Sequence, residues 1–127
     1  MGPRLRRMKP YRPRRKRSQG AALFRQSLHD LKHRISSDIG DLIVLCEEGN
    51  VSQISEAQLK AKSNFLKHAA EMQQIAQKLG ERTVRAVRDY LDSIDVIIHS
   101  NAEWLDEAKV RNCFLMGEKL DTELQAA

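Results

Sequence analysis

The strongest constraint on the fold is a change in the character of the sequence near residue 20. Residues 1–19 contain all three prolines and no acidic residue. From residue 20 onward there is no proline, and apolar residues recur every three or four positions, which is the period of one helical face. No alternating run bounded by Asn-Gly or Asp-Gly suggests a β-hairpin. The sequence therefore predicts an all-α domain over residues 20–127, preceded by a separate segment over residues 1–19.

That first segment, here called the basic arm (residues 1–19), is expected to be disordered in isolation. Its prolines remove backbone donors, and its few apolar residues offer too little burial to offset the entropy lost on ordering. The arm holds nine of the 22 Lys and Arg residues, which leaves 13 in residues 20–127 against all 17 acids. The helical body is therefore net −4, and the arm alone gives the chain its overall charge of +5.

The first helix is predicted from about Gly20 to Glu48, and Gly49-Asn50 supplies a C-cap and turn. Seven residues at steps of three or four make up its apolar face: Phe24, Leu28, Leu31, Ile35, Ile39, Leu42 and Cys46.

The middle of the chain allows two interpretations that differ at Gly80. Ser55 and Gln58 form a capping box, and an apolar helical face continues from there to Ile97. A glycine inside a helix costs only about 1 kcal/mol relative to alanine. The sequence therefore favours one long, kinked helix over residues 54–99, about 69 Å in length. A break at Gly80 gives two helices instead.

A second capping box, Ser100 with Glu103, predicts the start of the last helix, which Gly117 is expected to end or weaken. Its apolar residues are Trp104, Leu105, Ala108, Val110, Cys113, Phe114, Leu115, Leu120 and Leu124. The expected architecture is an elongated antiparallel helical bundle or coiled coil of three long helices, or of four if Gly80 breaks the middle one. The three-helix form leaves apolar surface uncovered, which favours a homo-oligomer.

No pattern in the chain points to catalysis or to a cofactor. There is no nucleophile elbow, P-loop or dinucleotide-binding glycine pattern. Cys46 and Cys113 are isolated in apolar helical contexts, so both are expected to be free core thiols. The four histidines are expected at the surface or its boundary, with zinc held between subunits by His29 and His33 as the weaker alternative. We expect a non-enzymatic protein without a metal.

Two series of charged residues follow one another along the predicted middle helix, each at steps of three: Arg82, Arg85 and Arg88, then Asp89, Asp92 and Asp95. The simpler interpretation is a solvated face with i, i+4 pairs between Arg85 and Asp89 and between Arg88 and Asp92. The alternative is an antiparallel, self-complementary contact between two copies of the chain.

The main functional hypothesis is that the basic arm binds nucleic acid without sequence specificity. Six phosphate contacts would give a log–log salt slope of about −5 on duplex DNA. Tyr11 can stack on an unpaired base. No helix-turn-helix or zinc finger is recognisable, so base readout is not expected. The predicted contact residues are Arg4, Arg6, Arg7, Lys9, Tyr11, Arg12, Arg14, Arg15, Lys16 and Arg17.

Other interpretations of the arm stay open: an address read from the cluster at residues 14–17, reversible attachment to an anionic membrane, or an inert tail. From a different class, the acidic body can act as a protein-interaction module, such as a secretion or assembly chaperone, that binds a partner helix. The sequence has no apolar run long enough to span a bilayer and no signal-peptide stretch. A soluble, cytoplasmic protein is therefore expected, or a nuclear one in a eukaryote.

Overall fold

The computed structural model describes residues 11–126, with side chains over residues 20–125. This part of the chain forms four α-helices and no strand: α1 (Tyr11–Glu48), α2 (Val51–Leu79), α3 (Glu81–His99) and α4 (Glu107–Ala126). The all-α prediction is thus confirmed. Helix α1 begins at Tyr11 rather than at the expected Gly20. Residues 1–10 and the side chains of residues 11–19 lie outside the described part, so the disorder of the basic arm stays a prediction.

The helices pack in a ring in which α1 contacts α2 and α4, and α3 contacts the same two helices. The first half of α1 contacts the last turn of α2, where the Lys78 amino group lies 5.5 Å from the centre of the Phe24 ring. Gln58, early in α2, bonds to the backbone of Ile97, late in α3. Neighbouring helices therefore run antiparallel, while the diagonal helices α1 and α3 run in the same direction.

The core is almost entirely aliphatic, as the low aromatic content of 5% requires. The predicted face of α1 is buried from Leu28 to Leu42, while Phe24 and Cys46 at its two ends are half-buried. Helix α3 is the most deeply inserted, and its buried residues are Thr83, Val87, Tyr90, Leu91, Ser93, Ile94, Ile97 and Ile98. Burial of this apolar surface is the main driving force that holds the four helices together.

The structure differs from the favoured continuous helix at Gly80. Helix α2 ends at Leu79 and α3 begins at Glu81, so a single residue separates them. Gly80 has φ +118°, a backbone conformation that residues with a Cβ rarely adopt. Its N–H donates to the Ala76 carbonyl at 3.2 Å, and its carbonyl accepts from the Val84 N–H at 3.0 Å. Gly80 alone therefore ends α2 and precedes α3, so the sequence contains no loop segment that would reveal the break.

The two predicted capping boxes are not the helix starts. Asn50 is the N-cap of α2, and its side chain accepts from the Gln53 N–H at 3.1 Å. The side chain of Asp106 accepts from the Lys109 N–H at 2.9 Å at the start of α4, so Ser100 and Glu103 belong to the connection before it. Helix α2 therefore starts before the predicted box at Ser55, and α4 starts after the predicted box at Ser100.

Gln58, the second member of one predicted box, is buried instead. Its side-chain amide donates to the carbonyls of Ile97 and Ser100, at 2.8 Å each. These carbonyls lie at the end of α3, where the helix leaves its own acceptors without partners. A side chain of α2 thus caps α3, which is a tertiary contact that spacing along the sequence does not show.

Replacing Gly80 with alanine tests the break between α2 and α3. We expect Gly80→Ala to lower the free energy of unfolding by about 1–3 kcal/mol, because the new Cβ strains a positive-φ backbone. Urea denaturation followed by circular dichroism measures the change. Gly40→Ala is the matched control, since Gly40 is exposed inside α1 with open space around it, and should stabilise by about 0.5–1 kcal/mol. Stabilisation by both substitutions would indicate a continuous helix.

Candidate functional site

The arm residues predicted to bind nucleic acid fall outside the part of the chain whose side chains the structure describes. These are Arg4, Arg6, Arg7, Lys9, Tyr11, Arg12, Arg14, Arg15, Lys16 and Arg17. The fold does show which end of the bundle adjoins the arm. Residues 11–19 of the arm are the first part of α1, and the helix enters the bundle at the end where Phe24, Lys78 and Gly80 lie.

Charge is distributed unevenly along the bundle. The end farthest from the arm, where α1 ends and α4 begins, carries a group of exposed or half-buried acids: Glu47, Glu48, Glu56, Glu103, Asp106 and Glu107. Arg111 and Lys109 of α4 are cations at the same end, and Arg111 pairs with Glu107 and lies 3.8 Å from Glu47. The acidic end and the basic arm are thus separated by the length of the bundle.

The six residues of the Arg/Asp series on α3, here called the α3 charged face (Arg82, Arg85, Arg88, Asp89, Asp92 and Asp95), are all exposed. The predicted i, i+4 pairs are not those found. Arg85 pairs with Glu81 at 3.3 Å, and Arg82 pairs with Glu123 of α4 at 3.1 Å. Among the described residues, no salt-bridge partner lies within 4.0 Å of Arg88, Asp89 or Asp92. Half of this face therefore has unpaired charges.

A groove of about 490 Å³ runs between α3 and α4 beside this face. Arg85 and Asp89 form one wall, and Leu115 and Met116 of α4 form part of the other. Leu115 is 48% exposed although it is a large aliphatic side chain. The groove thus combines charged walls with apolar surface that the four helices leave uncovered.

A second groove of similar volume, about 490 Å³, lies between α1 and α2 near the acidic end. Val44, Leu45 and Ala57 provide its apolar surface, and Val44 is 53% exposed. Asp41 and Glu56 line the same groove together with one cation, Lys60, so its lining is net −1. We call this the α1–α2 groove; its chemistry suits an apolar side chain carried on a basic segment.

One polar cluster joins α1, α3 and α4 inside the bundle. The Tyr90 hydroxyl lies 2.5 Å from Ser36 Oγ and donates to the Lys32 carbonyl at 3.4 Å, while the Lys32 amino group lies 2.7 Å from Asp121. A Cβ added at Gly117 would come within 3.1 Å of Lys32 and 3.3 Å of Tyr90. Gly117 thus allows close packing inside α4. The helix continues past it to Ala126, so the prediction that Gly117 ends the helix is wrong.

Burial determines the chemistry of that cluster and of both thiols. It raises the pKa of the Tyr90 phenol well above its ordinary value and raises the pKa of Cys113 to about 11. Burial, with the nearby Asp106 and Glu107 carboxylates, also raises the pKa of Cys46. A cysteine reacts as its thiolate, so both residues are poor nucleophiles at neutral pH. The two cysteines are free.

The histidines do not assemble into a metal site in the described residues. His29 and His33 are exposed on α1, as expected, whereas His68 is buried on α2, contrary to the prediction of a surface or boundary position. Over residues 20–125, no group of three or more His, Cys, Asp or Glu side chains is arranged to hold a metal ion.

No protein-family model, curated protein or solved structure matches this chain. The class is therefore defined by the fold: an all-helical bundle. In the described part of the chain, none of the helices combines the length and the apolar character required to cross a membrane.

The thiols give a direct test of burial. At pH 8, Cys113 should not react measurably with Ellman's reagent in the folded protein, because its thiol is buried and its pKa is raised to about 11. Cys46, which is half-buried, should react slowly. Both should react fully in denaturant, and Cys46→Ser and Cys113→Ser variants assign the two phases. Equal rates for Cys113 in folded and unfolded protein would contradict the described core.

Proposed function

We propose that this protein is a non-enzymatic helical adaptor whose basic arm binds nucleic acid without sequence specificity. The observation that carries the proposal is the separation of charge: nine cations and no acid in residues 1–19, joined to a body of net −4. Binding then depends on the arm, while the body presents the bound complex to other molecules.

The geometry of the bundle supports this division. From Gly20 to Glu48, α1 extends for about 42 Å at 1.5 Å per residue. The Debye length at physiological ionic strength is about 8 Å, so the acids at the far end are screened from the arm. These six acids therefore do not offset the positive potential of the arm, whereas Glu81, next to Gly80, lies at the arm end.

The chemistry of the arm suits phosphate rather than bases. Arginine, which makes up most of its cations, forms two parallel hydrogen bonds with a phosphate group. Release of condensed counterions provides the free energy, so affinity falls steeply with salt. Tyr11 adds one stacking surface, which favours an unpaired base. No element of the proposal reads a sequence of bases.

The test compares the full chain with a variant in which the nine Lys and Arg residues of the arm are replaced by glutamine. Fluorescence anisotropy with a random duplex and a random single strand is measured from 50 to 200 mM salt. Wild type should bind with a slope of about −5 on the duplex, and the variant should lose most of its affinity and slope.

An Arg34→Gln, Lys62→Gln, Lys67→Gln variant is the control, because it removes three cations from the body and leaves the arm intact. It should keep the slope of wild type. Equal weak binding by wild type and by the arm variant would show that the arm is not a nucleic-acid ligand.

The α1–α2 groove favours a second candidate function, a protein-interaction module that binds a basic amphipathic helix of a partner. Val44 is 53% exposed on an apolar floor lined by Asp41 and Glu56. An apolar side chain fills such a groove, and flanking lysines or arginines pair with the carboxylates. This candidate places the function in the acidic body and leaves the arm without a ligand role.

A pair of synthetic helical peptides tests the groove. Both carry leucines on one face; one has lysines on the flanks and the other has glutamates. We expect only the lysine peptide to bind, and Val44→Lys to weaken it by about tenfold or more because a cation enters the groove. Val51→Lys, at an exposed position outside the groove, should leave binding unchanged. Equal binding of the two peptides, or no effect of Val44→Lys, rejects this candidate.

A further inference from the structure

The α3 charged face has an internal symmetry that becomes important when a second copy is considered. Three arginines at steps of three are followed directly by three aspartates at steps of three, and all six are exposed. If two α3 helices lie antiparallel about a two-fold axis between Arg88 and Asp89, each arginine lies at the same axial level as an aspartate of the other copy. The pairs are Arg82 with Asp95, Arg85 with Asp92, and Arg88 with Asp89, each formed twice.

We propose that the α3 charged face binds the same face of a second copy in this antiparallel register. The contact is isologous, so that one patch serves both partners. This surface differs from the arm and from the α1–α2 groove, and the inference does not depend on nucleic-acid binding.

The charge pattern selects one arrangement among the alternatives. A parallel pairing of two α3 helices brings arginine to arginine and aspartate to aspartate, which is strongly unfavourable across an interface. An antiparallel pairing shifted by three residues leaves Arg88 opposite Ala86 and loses one of the three kinds of pair. Only the register centred between Arg88 and Asp89 matches every charge.

Three residues of the face have no salt-bridge partner in the part of the chain that the structure describes, and Asp95 lies 3.0 Å from His99 Nδ1 in an exposed i, i+4 pair that a second copy can replace. Within the described residues, Arg88, Asp89 and Asp92 have no salt bridge. The side chains of Arg82 and Arg85 are 85% and 72% exposed, and their pairs with Glu123 and Glu81 are solvent-screened and easily exchanged. The core is not disturbed, because the buried residues of α3 lie on its opposite side.

Exposed apolar side chains next to the α3 charged face would be buried by the contact and would add to its affinity. Leu115 lines the groove beside Arg85 and Asp89, and it is 48% exposed. Val96, one residue beyond Asp95, is 51% exposed. A second copy laid along α3 covers both side chains. Ion pairs then set the register and orientation, while burial of these residues adds affinity.

The experiment is sedimentation equilibrium of the full-length chain, without nucleic acid, up to millimolar concentration. Wild type should dimerise, more weakly at 500 mM salt than at 50 mM. Arg85→Asp and Asp92→Arg should each weaken the dimer by about tenfold or more, because each places like charges opposite one another. The double variant, Arg85→Asp with Asp92→Arg, should restore the affinity of wild type.

A mixing experiment tests the whole face. A variant with aspartate at positions 82, 85 and 88, and another with arginine at positions 89, 92 and 95, should each be monomeric alone and should form a heterodimer when mixed. Arg34→Asp, at an exposed position on α1, is the control and should leave the dimer unchanged.

Three results would overturn the proposal: a wild-type monomer at every concentration, a dimer that resists the single reversals, or a double variant that does not recover. Circular dichroism confirms that each variant is folded. The variant with a glutamine arm is measured in parallel and should still dimerise, which separates this interface from the nucleic-acid proposal.

Discussion

The reversal of the chain at Gly80 is the constraint on which the rest of the bundle depends. Because this residue has φ +118°, α3 folds back along α2 after a single residue and packs between α2 and α4. That path brings the Tyr90 hydroxyl to Ser36 and the Lys32 carbonyl of α1. It also fixes which side of α3 faces solvent. A continuous helix would carry the second half of this segment away from α1 and leave the buried aliphatic residues of α3 without those neighbours.

The sequence predicts those parts of the fold that depend on periodicity. The buried face of α1 from Leu28 to Leu42 follows directly from the spacing of its apolar residues. The sequence favours a continuous helix across Gly80, because the apolar period continues through this residue. The break is visible only in its backbone angle, φ +118°. The role of Gln58 was misread, since its partners, the carbonyls of Ile97 and Ser100, are far away in sequence. Periodicity reports which face is buried, whereas caps and reversals depend on tertiary contacts.

The candidate sites divide in the same way. Composition alone reveals the separation between a basic arm and an acidic body, and the exposure of the α3 charged face follows from the helical spacing of its residues. The sequence predicts ion pairs of Arg85 with Asp89 and of Arg88 with Asp92, yet the structure pairs Arg85 with Glu81 at the start of α3 and Arg82 with Glu123 of α4. The α1–α2 groove was missed entirely, because Val44 and Ala57 come from different helices. Only their packing shows that an apolar floor stays exposed between Asp41 and Glu56.

Binding of nucleic acid by the arm and pairing of the α3 charged face would reinforce each other energetically. An exposed ion pair contributes about 0.2–1 kcal/mol, and association costs at least about 4 kcal/mol in lost translational and rotational freedom. Six such pairs with little apolar burial therefore give a weak dimer. Because α1 and α3 run in the same direction, a two-fold axis at the centre of α3 places the two arms at opposite ends of the dimer. Their separation, measured along the helix direction, is about 40 Å. Two copies whose arms hold one nucleic-acid strand are at high effective concentration, so the strand favours the contact and the contact makes the protein bivalent for the strand.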